Sequence, residues 1–240
     1  GTDFEYYDDF FLGFGINSYY ESIETDSTAS NQQKKLKGNY FDNFVSLTFD
    51  FDKRNQKFQT SQGFRNYFKT DIPLISETNT LANTFITTNY FEFLNNNVLK
   101  SSFYFKNSNS LTGDNIKLSE RLYLPSNRLR GFESGKVGPK DGDDFIGGNY
   151  ISSINFSSDI PKLFENSQTT DFKMFLDIAN VWGVDYDSGL ETSDDIKSAL
   201  GIGLDWYSPI GPMNFTLSQH LSKGPNDITE SFRFNLGTTF

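Results

Sequence analysis

The sequence predicts an all-β protein built from antiparallel strands. About ten segments alternate apolar and polar residues with the period of two expected of a strand with one buried face. They cover residues 9–22, 45–52, 63–72, 81–94, 98–108, 149–159, 171–182, 198–207, 212–219 and 231–240. No segment shows a convincing helical period. Because aromatic residues reach 17% of a chain with only 36% hydrophobic residues, the apolar content is concentrated in large rings, which suits a sheet with one apolar and one polar face.

The clearest strand lies at residues 45–52. Apolar residues occupy its odd positions, and hydroxyl or carboxylate residues occupy its even positions: Val45, Leu47, Phe49 and Phe51 against Ser46, Thr48, Asp50 and Asp52. In a soluble sandwich the polar face would contact bulk water. In a transmembrane barrel it would line a polar lumen, and the apolar face would contact lipid. Periodicity alone leaves both architectures open.

Further segments are expected to extend the apolar face. In the segment 171–182, Leu176 and Ile178 flank Asp177, so the carboxylate points away from the apolar side chains. The outward band is predicted to include Val45, Leu47, Phe49, Phe51, Leu176, Ile178, Leu204, Phe232 and Phe234. If that band contacts lipid, Asp50, Asp52 and Asp177 must face inward. Amphipathic rings settle where lipid meets water, and five rings are expected there: Tyr19, Tyr20, Trp182, Trp206 and Tyr207.

The connections between the predicted strands alternate in length. The connection at residues 208–211 is short, whereas the one at residues 183–197 is long. This asymmetry is typical of a barrel with tight turns at one end and extended loops at the other.

The composition excludes several classes of function. The formal charge of −10 and the pI near 4.6 argue against nucleic-acid binding, which needs a basic surface. Without cysteine there is no thiolate metal site, and with the single histidine His220 neither a zinc hydrolase nor a Ser–His triad is expected. The acidic cluster Asp141, Asp143 and Asp144 lacks the ligand spacing of a calcium-binding loop. We therefore predict no metal site.

The longest stretch without strand periodicity runs over residues 109–146. Connections within a domain usually take about 4–6 residues, so a loop of this length is either disordered or functional. Its central part, residues 128–139, contains three glycines, two arginines and a phenylalanine. A disordered linker would be richer in Ser, Glu and Pro. The composition favours an ordered loop that turns tightly and presents a guanidinium and a ring.

Three motifs resemble BamA-type outer-membrane protein assembly factors. The run Leu129–Phe132 reads Leu-Arg-Gly-Phe and, with the later Gly138-Pro139, resembles the family loop that folds back into the barrel lumen. Residues 201–212 resemble the family hairpin Gly-Ile-x-x-x-Trp-x-Ser-Pro-x-Gly-Pro. Residues 232–240 resemble the closing strand of the barrel. Its alternating and terminal residues match the signal by which outer-membrane barrels are recognised for assembly: Phe232, Phe234, Gly237 and Phe240.

The resemblance implies an antiparallel transmembrane β-barrel of the bacterial outer membrane. Family barrels have sixteen strands, and residues 1–240 would form the C-terminal portion of one, with about ten strands, the lumen-folded loop at residues 109–146, and no POTRA domains. The implied function is that of an insertase, which folds client barrels by pairing their strands with an opened edge strand. Because the family works without covalent chemistry, the resemblance implies no catalytic residue and no cofactor. Implied partners are the lipid bilayer, unfolded outer-membrane clients and accessory lipoproteins. The alternatives are a two-partner-type secretion pore of the same superfamily, a passive porin, and a soluble β-sandwich binder.

The resemblance also names site residues. Arg130, Gly131 and Phe132 would anchor the loop inside the barrel, with Arg130 paired to an acid on the wall, and the inward-facing Asp177 is the expected partner. A second family acid falls by counting on Ser157, so Asp159, on the same face, is the expected substitute. With only about ten strands, we expect either an open sheet with free edges at residues 9–22 and 231–240, or a smaller closed barrel.

Overall fold

Eleven antiparallel strands form one sheet in the computed structural model, which describes residues 1–57, 60–93, 97–159, 169–185, 190, 195–209 and 211–237. Every strand pairs with its neighbours along the chain, except that β6 pairs with β9 across a small hairpin, β7–β8. The strands are β1 (Thr2–Tyr7), β2 (Phe10–Ile23), β3 (Gly38–Asp52), β4 (Gly63–Ser76), β5 (Thr80–Phe93), β6 (Asn97–Ser110), β7 (Lys140–Asp141), β8 (Asp144–Phe145), β9 (Tyr150–Asp159), β10 (Thr170–Trp182), β11 (Lys197–Ser208), β12 (Gly211–Ser222) and β13 (Phe232–Leu236).

The first strand is one that the sequence pattern did not predict. β1 pairs with β2 from Thr2 opposite Phe14 to Tyr7 opposite Phe10. Every residue of β1 is exposed, and its only strand signal is the short alternation of Asp3, Phe4, Glu5 and Tyr6, which the prediction did not include. The edge of the sheet is therefore β1, and the prediction that residues 9–22 form a free edge was wrong. The other edge is β13, and the described residues of these two strands do not pair with each other.

A short helix, α1 (Asn31–Lys35), was also missed, since the sequence showed no convincing helical period. It begins with a capping box in which the Ser30 hydroxyl accepts from the Gln33 backbone N–H at 3.1 Å. The Gln33 side chain in turn accepts from the Ser30 N–H at 3.2 Å. Five residues are too few to show a helical period, so only the Ser-x-x-Gln cap could have indicated it. Within the described residues, no helix is long and apolar enough to cross a membrane.

The two faces of the sheet differ in polarity as the alternation predicts. On the outer face the rings of Phe49 and Phe68 lie 6.1 Å apart on neighbouring strands. On the inner face the Asp50 carboxylate binds Arg65 in a bidentate pair at 2.8 and 2.6 Å. One ring that was expected at the lipid–water boundary, Tyr19, lies elsewhere, because it is opposite the inward-facing Asp42. Tyr19 therefore belongs to the inner face.

Part of the inner face is apolar, and the core of the molecule lies there. Inward side chains from four strands pack against side chains from the long connection between β6 and β9. The wall contributes Tyr104, Ile151, Ala179, Val181 and Ala199, and the loop contributes Leu122, Leu124, Leu129, Phe132 and Val137. Burying these groups between the loop and the sheet removes apolar surface from water. The hydrophobic effect therefore stabilises the docked loop in the same way that it stabilises the core of a soluble domain.

The connections only partly follow the predicted asymmetry of length. The end of the sheet from which the long loop leaves also carries the connections 24–37, 183–196 and 223–231, but it has the short turn 77–79 as well. The opposite end carries the short connections 8–9, 94–96 and 209–210, together with the longer connections 53–62 and 160–169.

Candidate functional site: the docked loop

The long loop, residues 111–149, starts and ends at the same end of the sheet. Its neck is closed by two backbone hydrogen bonds between Leu122 and Gly148, at 2.8 and 2.9 Å. Its tip, residues 128–139, reaches the middle of β10 on the inner face, because Arg130 contacts Asp177. The loop therefore crosses the concave side of the sheet.

Arg130 and Asp177 form a bidentate ion pair. The Arg130 Nε donates to one carboxylate oxygen at 2.7 Å, and Nη2 donates to the other at 2.8 Å. The Arg130 backbone N–H adds a third hydrogen bond at 3.0 Å. The Asp177 side chain is 0% exposed, whereas that of Arg130 is 20% exposed. Fork-to-fork geometry of this kind is strong and directional, so the pair fixes both the position and the orientation of the tip.

Two further residues, Asn155 and Phe175, contact the ion pair, and the sequence motif did not indicate either of them. Asn155 lies directly opposite Asp177 on β9, and its amide donates to the Asp177 carboxylate at 2.8 Å. The same amide donates to the backbone carbonyl of Arg128 at 2.8 Å. The Arg130 guanidinium also lies 3.6 Å above the ring of Phe175, a cation–π contact.

The expected second acid does not join this site. Asp159 lies opposite Lys173, near the far end of β9, and makes no hydrogen bond to Arg130 in the described structure, where the guanidinium donates to Asp177. The prediction that Asp159 replaces the second acid was therefore wrong. Counting along β9 pointed to Ser157, but the register places the polar neighbour of Asp177 two residues earlier, at Asn155.

Gly131 and Phe132 occupy positions that restrict their residue types. Gly131 has a φ of 88°, in the left-handed region that favours glycine. A Cβ there would lie 3.1 Å from the Cβ of Ala199 and 3.2 Å from that of Ser218, so the backbone packs directly on β11 and β12. Phe132 is only 1% exposed and lies within the apolar core.

A second ion cluster ties the first half of the loop to the opposite side of the sheet. Lys117 is fully buried and binds the carboxylates of Asp42 on β3 and Glu21 on β2, the latter at 2.7 Å. Its ammonium also lies 5.0 Å from the ring centre of Tyr40. Burial lowers the pKa of Lys117, but the hydrogen bonds to the two carboxylates outweigh it and raise the pKa above its ordinary value.

The third carboxylate of this cluster is less well satisfied. Glu120 accepts from Thr80 at 2.7 Å through one oxygen. The other oxygen accepts no hydrogen bond among the described residues and lies 3.6 Å from Lys117 Nζ. Burial therefore raises the pKa of Glu120. Sequence reasoning missed the cluster because its members are far apart in the chain.

The residues predicted as a closing-strand signal lie on or beside β13. Phe232 and Phe234 are exposed on the outer face, and the ring of Phe234 lies 5.0 Å from that of Phe215. Gly237 has a φ of 81°, and its N–H donates to the Pro212 carbonyl at 2.8 Å. Phe240 lies outside the described residues.

A polar cavity of 570 Å³ adjoins the loop tip at the end of the sheet opposite the neck. Its walls carry both signs of charge, including Lys100, Arg128, Lys173 and Asp205. Lys173 is paired with Asp205 at 2.7 Å. Nowhere in the described ranges do three or more His, Cys, Asp or Glu side chains form a group that could hold a metal ion. The arrangement positions a loop by ion pairs and packing.

Comparison with known proteins places this geometry in a family. The chain matches the Omp85 superfamily domain over residues 3–240. It is 29% identical over 139 residues to the outer membrane protein assembly factor BamA of Neisseria meningitidis serogroup B, which covers 47% of this chain and 17% of that protein. It is 26% identical over 132 residues to BamA of Neorickettsia risticii, covering 54% of this chain and 18% of that protein. The chain thus spans less than a fifth of the length of these relatives.

A solved structure has the same fold. BamA from Haemophilus ducreyi lacking POTRA domains 1–3 superimposes with a TM-score of 0.80 at 20% sequence identity, over 97% of this chain and 52% of that one. The antiparallel sheet is therefore part of an outer-membrane β-barrel, and the names of the relatives are those of assembly factors rather than enzymes. The chain belongs to the Omp85 superfamily and is of the BamA type.

Proposed function

We propose that the protein containing this chain inserts and folds β-barrel proteins in the bacterial outer membrane, and that residues 1–240 form the C-terminal portion of its barrel domain. One observation carries the proposal: a loop is docked beside a short edge strand. Within the described residues, β13 pairs with β12 over five positions, from Met213 to Leu217, whereas β10 and β11 pair over ten. An edge strand held by so few pairs is easier to open than its neighbours.

The mechanism we propose is templating at that edge. An edge strand presents unpaired backbone N–H and C=O groups, each of which costs several kcal/mol in lipid. A client strand that adds to β13 satisfies these groups through β-augmentation. Phe232, Phe234, Gly237 and Phe240 would define the edge. In the full barrel, β13 would close on the first barrel strand, and β1 would adjoin the strand that precedes this segment.

In this proposal the docked loop keeps one fixed position inside the barrel lumen while client strands add to β13. Arg130, Gly131, Phe132 and Asp177 would anchor it, supported by the bidentate geometry and the burial of Asp177. The docked loop also disfavours a passive porin, because its apolar residues fill part of the concave side. The partners we propose are the lipid bilayer, unfolded outer-membrane clients and accessory lipoproteins.

Reconstitution in liposomes tests the proposal. The full-length protein is placed in vesicles, an unfolded client barrel is added, and the folded, protease-resistant client is counted over time. We expect wild type to accelerate insertion and Arg130→Ala to slow it. Arg65→Ala removes an equally bidentate pair on the inner face away from the loop, and it should resemble wild type. Vesicles that export a passenger protein but insert no client would instead favour the secretion pore of the same superfamily.

A further inference from the structure

The loop tip contacts a second partner besides β10, namely the segment that leads into β13. Glu133 N–H donates to the Ile228 carbonyl at 2.9 Å, and Ile228 N–H donates to the Lys136 carbonyl at 3.0 Å. Glu230 N–H donates to the Gly131 carbonyl at 3.0 Å. These three bonds form a short antiparallel ladder that joins the tip to residues 228–230.

A buried carboxylate reinforces the ladder. Asp227 is 5% exposed and accepts from two backbone N–H groups. One belongs to Gly138 of the loop tip, at 3.0 Å, and the other to Gly224, at 2.7 Å. Hydrogen bonds to an ionised acceptor are stronger than neutral ones, and here they join the loop to the β12–β13 connection.

Arg233 carries the connection into the edge strand itself. Its guanidinium donates to the Phe132 carbonyl at 2.6 Å and to the Ser126 carbonyl at 3.0 Å, two points on either side of Arg130 in the loop. The same group binds the Glu230 carboxylate at 2.8 and 3.0 Å. The side chain is 15% exposed, and it lies on β13 opposite Thr216 of β12.

We propose that Arg233 is a positioning residue that couples the docking of the loop to the position of the edge strand β13. Arg130 fixes the tip to the wall at Asp177, and Arg233 fixes β13 to the tip. Because β13 has few backbone pairs with β12, the contacts between Arg233 and the loop on the inner face contribute a large share of the interactions that keep β13 in place. The coupling regulates the templating edge proposed above, but its physical test needs no client.

The chemistry of the contact requires arginine. Two backbone carbonyls and a carboxylate lie in different directions around the guanidinium, and its planar set of five N–H donors can serve all three. An ammonium group is a single point on a flexible stem, so Arg233→Lys can keep one or two of these contacts but not the full set. We therefore expect Arg233→Lys to fall between wild type and Arg233→Ala.

Two cysteine reporters distinguish movement of the strand from movement of the loop, and residues 1–240 contain no cysteine that would compete with either. The strand reporter pairs Met213→Cys with Leu236→Cys, which lie opposite each other on β12 and β13, and follows the rate of disulfide formation. The loop reporter is Leu129→Cys, at a position 2% exposed, and follows the rate of thiol labelling. Both are measured on the full-length protein in vesicles.

We expect Arg233→Ala to slow disulfide formation by about tenfold, the scale for losing ~1.4 kcal/mol of contacts, while labelling of Leu129→Cys changes less than about threefold. Arg130→Ala should change both rates, because releasing the tip also releases β13. Arg65→Ala, a matched loss of a guanidinium on the inner face, should change neither.

An unchanged disulfide rate in Arg233→Ala would overturn the coupling. So would equal changes in both reporters, since Arg233 would then be only another loop anchor. Normal client insertion together with the expected rate changes would count against the proposed function alone and leave the coupling supported.

Discussion

Replacing Arg130 by alanine should weaken docking of the loop tip, and the size of the loss in docking free energy follows from the local geometry. The change removes two charge-assisted hydrogen bonds at 2.7 and 2.8 Å and the contact with the Phe175 ring. Asp177 stays buried but keeps two donors, the backbone N–H of residue 130 at 3.0 Å and the Asn155 amide at 2.8 Å. Breaking a buried pair typically costs about 3–5 kcal/mol. With two donors left we expect ~3 kcal/mol, or about 150-fold in the docking equilibrium.

A double-mutant cycle tests whether that cost belongs to the pair. Arg130→Ala, Asp177→Ala and the double variant are compared by hydrogen exchange of the loop amides that docking protects, such as Glu133 and Gly138. The double variant should cost little more than either single change, which gives a coupling energy of about 2 kcal/mol. Arg130→Lys should recover at most about half of the loss. If the two single effects add within about 0.5 kcal/mol, the pair does not anchor the loop.

Three further changes test other parts of the site. Gly131→Ala should weaken docking by about 2 kcal/mol in the same exchange experiment, because its Cβ would crowd Ala199; Gly135→Ala, also at positive φ but with open space around it, should cost clearly less. Burial holds the pKa of Glu120 above its ordinary 4.5, so docking takes up a proton. The contribution of Glu120 to docking should therefore be largest below pH 4.5 and fall as pH rises through the docked-state pKa, and Glu120→Gln should remove this component of the pH dependence. Leu47→Lys, on the lipid-facing side of β3, should destabilise the barrel in denaturant titrations by about 2–4 kcal/mol.

The strands were predictable where one face is buried and the other is not. β3 alternates over its whole central part, and its inner carboxylate Asp50 and outer ring Phe49 lie where the pattern puts them. β1 was not predicted, because its alternation covers only the four residues Asp3, Phe4, Glu5 and Tyr6 and none of its side chains is buried to fix a face. The expectation of a polar inner face was wrong at Val181 and Ala199, where the loop covers the wall with apolar side chains.

Only the site residues marked by a local motif or by the alternation along one strand could be predicted. Arg130 stood out in the motif, and alternation placed Asp177 on the inner face. Asn155 depended on the register between β9 and β10, which counting along one strand does not fix. Lys117 and Arg233 are joined to their partners across 75 and 101 residues of chain, and no local pattern encodes such contacts.

The docked loop also imposes an order of assembly on the chain. Neighbouring strands such as β4 and β5 meet across a short turn and can pair as soon as both exist. The tip cannot dock until β10 is in place, and it cannot complete its ladder until residues 228–230 arrive, almost a hundred residues later. Contacts of such high sequence separation form slowly, so docking should be among the last folding events. Protection of the tip amides in a pulse-labelled folding experiment would then mark the moment at which the wall is complete.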